Sequence, residues 1–152
     1  MDKVGLKKAV EKILGNSGFS RKSGAWYKSG SDAIVVIDLQ KSDFGAYFYL
    51  NIGICIKELS EALFPKVEVC HISMRADALL NRDGQNLDLG LNMEQGTADD
   101  FEASLRLIEG ELMPMISEFL SIDKLKIHYA IGIFKRALIF WQAREMLENP
   151  LR

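Results

Sequence analysis

Hydrophobic and polar positions in the first 18 residues follow the period of an α-helix. Four apolar residues recur at this spacing and share one stripe: Leu6, Val10, Ile13 and Leu14. Lysines and glutamate occupy the other side. The run GNSG at 15–18 predicts the end of the helix, because glycine and asparagine accept the left-handed conformation of a C-cap. We expect Phe19 to fold back onto the core.

After this helix the pattern changes to the alternation that is typical of β-strands. Four strands are predicted, at 25–28, 33–40, 47–56 and 67–77. Leu87, Leu89 and Leu91 alternate with polar residues or glycine and predict a fifth strand. The segment 57–64 is the exception, since its apolar residues keep helical spacing and predict a short helix. Strands that follow one another through short turns indicate an antiparallel meander.

The last third of the chain is predicted to be helical. Thr97 is a suitable N-cap, and Asp99 and Asp100 lie in the first turn, where the helix dipole favours negative charge. The apolar residues that follow keep the helical period. Pro114 interrupts this helix, because its ring would clash with the carbonyl of Gly110, and a kink is expected there.

Two more helices are predicted toward the end of the chain. The first begins at Ser121 or Asp123, and the second covers residues 130–147. The second leaves little polar face, and a helix that is apolar nearly all round is normally buried on most sides. Either the other helices cover it, or one of its faces packs on a partner subunit.

Together these elements predict one α+β domain over residues 1–152. Its sheet is an antiparallel β-meander of about 4–5 strands, and the N-terminal helix and the C-terminal helical part pack on one face of it. A chain of 152 residues can bury such a core without a metal or a disulfide.

The second and third predicted strands have a preferred register. Their apolar faces meet only if an odd position of one strand faces an even position of the other. Three facing pairs follow: Leu39 with Leu50, Asp38 with Asn51, and Gln40 with Tyr49. The loop between the strands is then either Phe44-Gly45 or the four residues 43–46.

The fourth predicted strand repeats this division into two rows. Its apolar row contains Cys70, Ile72, Met74 and Ala76, and its polar row contains His71, Ser73, Arg75 and Asp77. If the strands are neighbours, polar side chains share the second face of the sheet. Five residues around this face form a predicted binding set: Gln40, Ser42, Asn51, His71 and Arg75. The alternative is the solvated face that many antiparallel sheets have.

Motifs for catalysis are missing from the sequence, which has no nucleophile elbow, P-loop, dinucleotide-binding glycine pattern, zinc-protease motif or EF-hand loop. Asp38 or Asp77 would orient His71 as a general base, but Ser42 and Ser73 carry no sign of an activated nucleophile. A structural role for His71 is the alternative. We predict no catalytic residue, no metal and no cofactor. Trp26 and Tyr49 are interpreted as packing residues.

Composition limits the kinds of partner that we expect and indicates the cell compartment. The 19 basic and 21 acidic residues give a net charge of −2, which offers no basic face for nucleic acid. Cys55 and Cys70 do not form a CxxC pair and are interpreted as buried thiols in a reducing compartment. The N-terminal helix is not a signal peptide, and no apolar run approaches the ~20 residues that span a bilayer. We therefore expect a cytoplasmic protein that binds neither nucleic acid nor membrane.

Several short stretches resemble one family. They are Leu39-Gln40-Lys41-Ser42, Asn51-Ile52-Gly53, and Cys70-His71 with Arg75, followed by a helical part that contains Pro114. Over most of residues 5–147 the chain resembles the uncharacterised bacterial family known as domain of unknown function 4304. It departs from that family after Arg75, where Leu87-Asp88-Leu89 stands in a segment expected to contain tryptophans. The resemblance implies an α+β fold and implies no activity.

Two functional hypotheses remain. The first is a non-catalytic cytoplasmic protein-binding module, either immunity-like or self-associating through the apolar C-terminal helix. The second is a small-ligand binder or an enzyme that uses the polar face of the sheet around Gln40, Asn51, His71 and Arg75. The second requires these four side chains to converge on a concave pocket, with His71 partly exposed.

Overall fold

A computed structural model describes residues 3–80 and 91–150. Six strands occur in this part of the chain: β1 Ser20–Lys22, β2 Ala25–Ser29, β3 Ala33–Lys41, β4 Phe48–Ile56, β5 Ile72–Arg75 and β6 Leu138–Ile139. Six α-helices accompany them: α1 Lys3–Asn16, α2 Asp77–Leu80, α3 Ala98–Leu107, α4 Met113–Glu118, α5 Ile122–Ala130 and α6 Trp141–Glu148. A π-helical turn, Ile108–Leu112, joins α3 to α4.

The six strands form one sheet in sequence order, and every neighbouring pair is antiparallel. The predicted α+β meander is confirmed, with six strands rather than four or five. Strand β1 escaped prediction because all three of its residues are polar and exposed. Its turn into β2 uses Ser23 and Gly24, both at positive φ (51° and 83°), as a two-residue hairpin turn requires.

The predicted register of the central hairpin is confirmed. Leu39 faces Leu50, Asp38 faces Asn51, and Gln40 faces Tyr49. The backbone N–H of Ser42 donates to the carbonyl of Tyr47 at 2.9 Å, so the loop is the four-residue alternative, 43–46.

The core lies between the first face of the sheet and the helices. All four predicted apolar residues of α1 are buried. Gly18 adopts a positive φ of 90° after the helix, and the N–H of Phe19 donates to the carbonyl of Leu14 at 3.0 Å. Phe19 is buried in the same core, as predicted. Residues of β3, β4 and β5 meet residues of α3 to α6 there, so the helices pack on one face of the sheet.

The start of the C-terminal helical part follows the prediction. Thr97 caps α3 and forms a capping box with Asp100, whose carboxylate accepts the N–H of Thr97 at 2.9 Å. The disturbance expected at Pro114 takes the form of the π-helical turn just before it, which contains Gly110. A π turn widens the helix where the proline cannot donate an N–H.

The predicted strand 67–77 is wrong in its length. Only Ile72–Arg75 is a strand, since Val67–Val69 forms a 3-10 turn and α2 begins at Asp77. The turn moves Cys70 away from the row of Ile72 and Met74, and its side chain lies in a cluster on the opposite face of the sheet. The helix predicted at 57–64 is also wrong, because only Lys57–Leu59 turns, as a 3-10 helix.

The final helix predicted at 130–147 is wrong. Helix α5 ends at Ala130, and Gly132 has a positive φ of 87° that a continuing helix does not permit. Leu138 and Ile139 then pair with β5 as strand β6, and α6 begins only at Trp141. The apolar run therefore supplies a loop, an edge strand and the start of a short helix.

The fifth strand predicted from the alternating leucines lies mostly outside the described residues. Leu91 is described, and its carbonyl accepts the N–H of Phe48 at 3.0 Å. Next to it, Asn92 forms an isolated antiparallel bridge with Tyr47. Among the helices that the structure describes, none has both the length and the apolar content to cross a bilayer.

A second, smaller apolar cluster covers half of the other face of the sheet. It is formed by Ala25, Ile34, Val36, Cys55, Val67 and Cys70. Gly53 makes this cover possible, because a Cβ at that position would lie 2.7 Å from the sulfur of Cys70 and 3.0 Å from Val36 Cγ1. The other half of this face, toward the end of β3, is not covered by this cluster.

We expect Gly53→Ala to lower the free energy of unfolding by ~1–3 kcal/mol, because the new methyl group overpacks the contact with Cys70. Urea denaturation measures the effect. The double variant Gly53→Ala/Cys70→Ala should lose less stability than the sum of the losses of the two single variants, because removal of the sulfur makes room for the new methyl group.

Gly15→Ala is the matched control for this substitution. Nothing lies within 4 Å of a Cβ at Gly15, which sits in α1. We expect it to be neutral or to stabilise by up to ~1 kcal/mol, from helix propensity alone. Equal losses for the two alanine variants would contradict the steric explanation.

Candidate functional site

Five side chains form a polar patch on the open half of the second face: Asp38, Gln40, Tyr49, Asn51 and Arg75. Asn51 is at its centre, since its Nδ2 donates to Asp38 Oδ1 at 2.8 Å and to Gln40 Oε1 at 2.9 Å. The strand register places Arg75 of β5 directly opposite Asn51. Alternation along β3, β4 and β5 therefore places polar side chains of three strands on one face, and hydrogen bonds join those of β3 and β4.

The electrostatics of the patch centre on Asp38. Its carboxyl is half-buried, and burial raises its pKa above the usual value. The hydrogen bond from Asn51 opposes this rise, whereas the negative charge of Glu68 adds to it. Asp38 also lines a pocket of about 280 Å³ between β2 and the segment around Phe64 and Lys66. The carboxylate is thus the point where the patch and this pocket meet.

Aromatic rings support the cationic end of the patch. The guanidinium carbon of Arg75 lies 3.5 Å from the centre of the Tyr49 ring, a cation–π contact. Tyr49 in turn packs edge-to-face on Tyr47, with 5.8 Å between the ring centres. Tyr49 was interpreted from the sequence as a packing residue, and its ring packs against Arg75. Phe44, at the tip of the same hairpin, is 92% exposed.

The other two predicted site residues lie apart from the patch. Ser42 is buried in the hairpin loop, where its Oγ accepts the N–H of Phe44 at 3.0 Å. His71 is also buried, and its Nδ1 accepts the N–H of Ile56 at 2.9 Å. The row of Gly53 and Ser73 separates His71 from the row of Asn51 and Arg75. The structure thus brings together Gln40, Asn51 and Arg75 and leaves out Ser42 and His71.

A larger cleft lies at the opposite end of β3. Its volume is about 680 Å³, and its walls include Asp32 and Lys57 beside the sheet and Lys126 and Trp141 from α5 and α6. The sequence predictions missed this cleft, because they placed Trp141 inside a long apolar helix. In the described part of the chain, no group of three or more His, Cys, Asp or Glu is positioned to hold a metal ion.

His71 should make the stability of the fold sensitive to acid. Burial lowers its pKa below 6.5, and protonation of Nδ1 would remove the acceptor for Ile56. The unfolded chain therefore binds the proton more readily than the folded chain. The contribution of His71 is fully present above pH 6.5 and is lost as the pH falls toward the lowered pKa.

We expect His71→Ala to cost ~1–3 kcal/mol near neutral pH, because the buried N–H of Ile56 loses its partner. In this variant, the fall in stability below pH 6.5 should be much smaller than in the wild-type chain. Urea denaturation at several pH values measures both effects, with His128→Gln as the control for the second histidine. A variant that keeps the wild-type pH dependence would show that another group causes it.

Comparisons with known proteins identify the family and no activity. The family model described as "Domain of unknown function (DUF4304)" matches residues 10–116, which is more than half of the chain. The match includes β1 to β5 and thus every residue of the polar patch. No curated protein and no solved structure matches the chain. The chain belongs to the DUF4304 family, whose function is unknown.

Proposed function

We propose that this chain is a non-catalytic protein-binding module and that it binds its partner through the polar patch. The observation that carries the proposal is the stack of Arg75 on Tyr49 and of Tyr49 on Tyr47. Arginine and tyrosine are enriched among the few residues that supply most of the energy of protein interfaces. Because stacking already restricts these side chains, less conformational entropy is lost on binding.

The surroundings of the stack suggest what the partner presents. Arg75 is exposed, and in the described part of the chain no carboxylate lies within 4.0 Å of its guanidinium. A carboxylate on the partner would pair with it through two hydrogen bonds. Phe44 is 92% exposed at the tip of the hairpin that also carries Tyr47 and Tyr49, and it offers an apolar anchor. The partner surface that fits has a carboxylate next to an apolar pocket.

The proposed partner is either a second copy of this chain or a toxin, and separate measurements distinguish the two. In a self-associating protein, the partner is a second copy, and light scattering detects a dimer that the patch variants weaken. In an immunity-like protein, the partner is a toxin, and binding through the patch lowers the toxin's activity. The cytoplasmic location stays a prediction from the sequence.

The experiment measures how tightly purified variants bind the partner proteins that are recovered with the wild-type chain, and how tightly they bind the chain itself. We expect Arg75→Ala and Tyr49→Ala each to raise the Kd at least ~30-fold, the equivalent of about 2 kcal/mol at an interface centre. Calorimetry measures the Kd, and thermal unfolding verifies that both variants remain folded.

Arg21→Ala is the matched control, because Arg21 is also an exposed strand arginine and lies at the far edge of the sheet. Its contact is a surface ion pair with Glu11 at 3.6 Å, which contributes little to stability. We expect the wild-type Kd for this variant. If the Arg75 and Tyr49 variants also bind every recovered partner with the wild-type Kd, the polar patch is not the binding surface.

A further inference from the structure

The cleft of about 680 Å³ lies far from the polar patch and has the size of a small-molecule site. It is located where the Asp32 end of β3 meets α5 and α6. Its apolar wall includes Ile122, Trp141 and Met146, and Lys126 supplies a positive charge. None of these four residues belongs to the site predicted from the sequence.

Asp32 holds three parts of the chain together at the cleft. Its carboxylate accepts the N–H of Ile122, the first residue of α5, at 2.9 Å. Its backbone N–H donates to the carbonyl of Leu120 at 3.1 Å, and its carbonyl accepts the N–H of Lys57 at 2.9 Å. These bonds fix the start of α5 and the Lys57 segment against the Asp32 end of β3 in the free protein. A preformed site loses little entropy when a ligand binds.

Lys126 is the most unusual charge in the cleft. It is only 7% exposed, and its ammonium donates to the carbonyl of Pro150 at 3.2 Å. Within residues 3–80 and 91–150, no carboxylate oxygen lies within 4.0 Å of that nitrogen. Removing an ammonium from water is costly unless other groups compensate, and one carbonyl uses one of its three protons. An anion at this position would supply the missing acceptors.

Trp141 provides the second recognition element. It is 65% exposed although it lines the cleft, so its ring is available to a ligand. The N–H of the preceding residue, Phe140, donates to the carbonyl of His71 at 2.9 Å, which anchors the start of α6 to the sheet. A flat apolar group placed against the indole would cover apolar surface that now faces water.

The remaining charges limit the charge of the ligand. Lys57 and Asp32 line the cleft, but both already have partners: the Lys57 ammonium donates to the carbonyl of Gly30, and the Asp32 carboxylate accepts the N–H of Ile122. Glu58 and Glu145 also line the cleft, but both are exposed, so water screens them more than it screens the buried Lys126. A single negative charge next to Lys126 is attracted, whereas a larger anion with several charges would meet these two carboxylates. This arrangement favours a monoanion over a polyphosphate.

We infer that the cleft binds a small organic monocarboxylate with a flat apolar body, its carboxylate at Lys126 and its ring against Trp141. The inference does not depend on the polar patch or on a protein partner. It assigns a ligand-binding site to the C-terminal helices, in addition to the proposed protein-binding surface on the sheet.

Two probes that share the same naphthalene ring test the charge requirement on the wild-type chain. 2-Naphthoate carries the carboxylate, and 2-naphthol is its neutral counterpart. The chain has two tryptophans, and Trp26 is only 2% exposed, so the indole N–H signals in a proton–nitrogen NMR spectrum report the two locations separately. Trp141→Phe assigns the signals. We expect 2-naphthoate to shift the Trp141 signal with a Kd of about 1 mM or below and 2-naphthol to bind at least about tenfold more weakly.

Lys126→Met tests the position of the charge, because methionine keeps most of the apolar stem. We expect its Kd for 2-naphthoate to rise about tenfold or more. Lys124→Met, an exposed lysine of the same helix, should change the Kd less than about twofold.

Three results would overturn the inference: no shift of Trp141 with 2-naphthoate, equal binding of the two probes, or an unchanged Kd in Lys126→Met. The comparison of probes is made on the wild-type chain and needs only the assignment from Trp141→Phe, so it decides even if Lys126→Met does not fold.

Discussion

β3 and β4 pair along nine rows with their apolar faces in phase, and the rest of the molecule is arranged around this hairpin. Rows such as Ile37 with Ile52 and Leu39 with Leu50 face the helices. The row of Asp38 and Asn51 faces the other way. Because side chains alternate with a period of two, a slip of one residue would turn one strand over and bring its polar residues into the core. The core and the polar patch therefore depend on the same register.

The second face of the sheet has two halves because of one glycine. At Gly53 the absence of a side chain admits the sulfur of Cys70, and the segment before β5 packs down over Ile34 and Val36. Toward the hairpin loop, the row of Asn51 and Arg75 lies outside this small cluster. The face is thus partly a second core and partly an open polar surface. Neither description fits the whole face, which is why only some of the predicted site residues converge.

Periodicity predicted most of the fold because long strands and an amphipathic helix carry many repeats of their pattern. Strands β3 and β4 were predicted to within one residue of their ends and with their correct register, and the apolar stripe of α1 was predicted correctly. The errors fall where a short element interrupts an apolar run. Residues 131–139 are apolar enough for a helix, and only Gly132 indicates the turn that precedes β6. Lys126 and Trp141 line the same cleft only because of that turn, so the pattern alone could not place the cleft.

The two proposed sites lie at opposite ends of the same hairpin. The cleft adjoins the row of Ala33 and Ile56, and the polar patch occupies the rows of Asp38 with Asn51 and of Gln40 with Tyr49. Five to seven steps along a strand separate them, a distance of about 17–24 Å. Substitutions that far apart, without shared partners, have additive effects on stability. Lys126 and Arg75 can therefore be changed independently, and failure of one proposal would leave the other unaffected. A protein partner on the sheet and a small acid in the cleft would couple if an element between them, such as the β3–β4 hairpin, had two conformations whose equilibrium both of them shift.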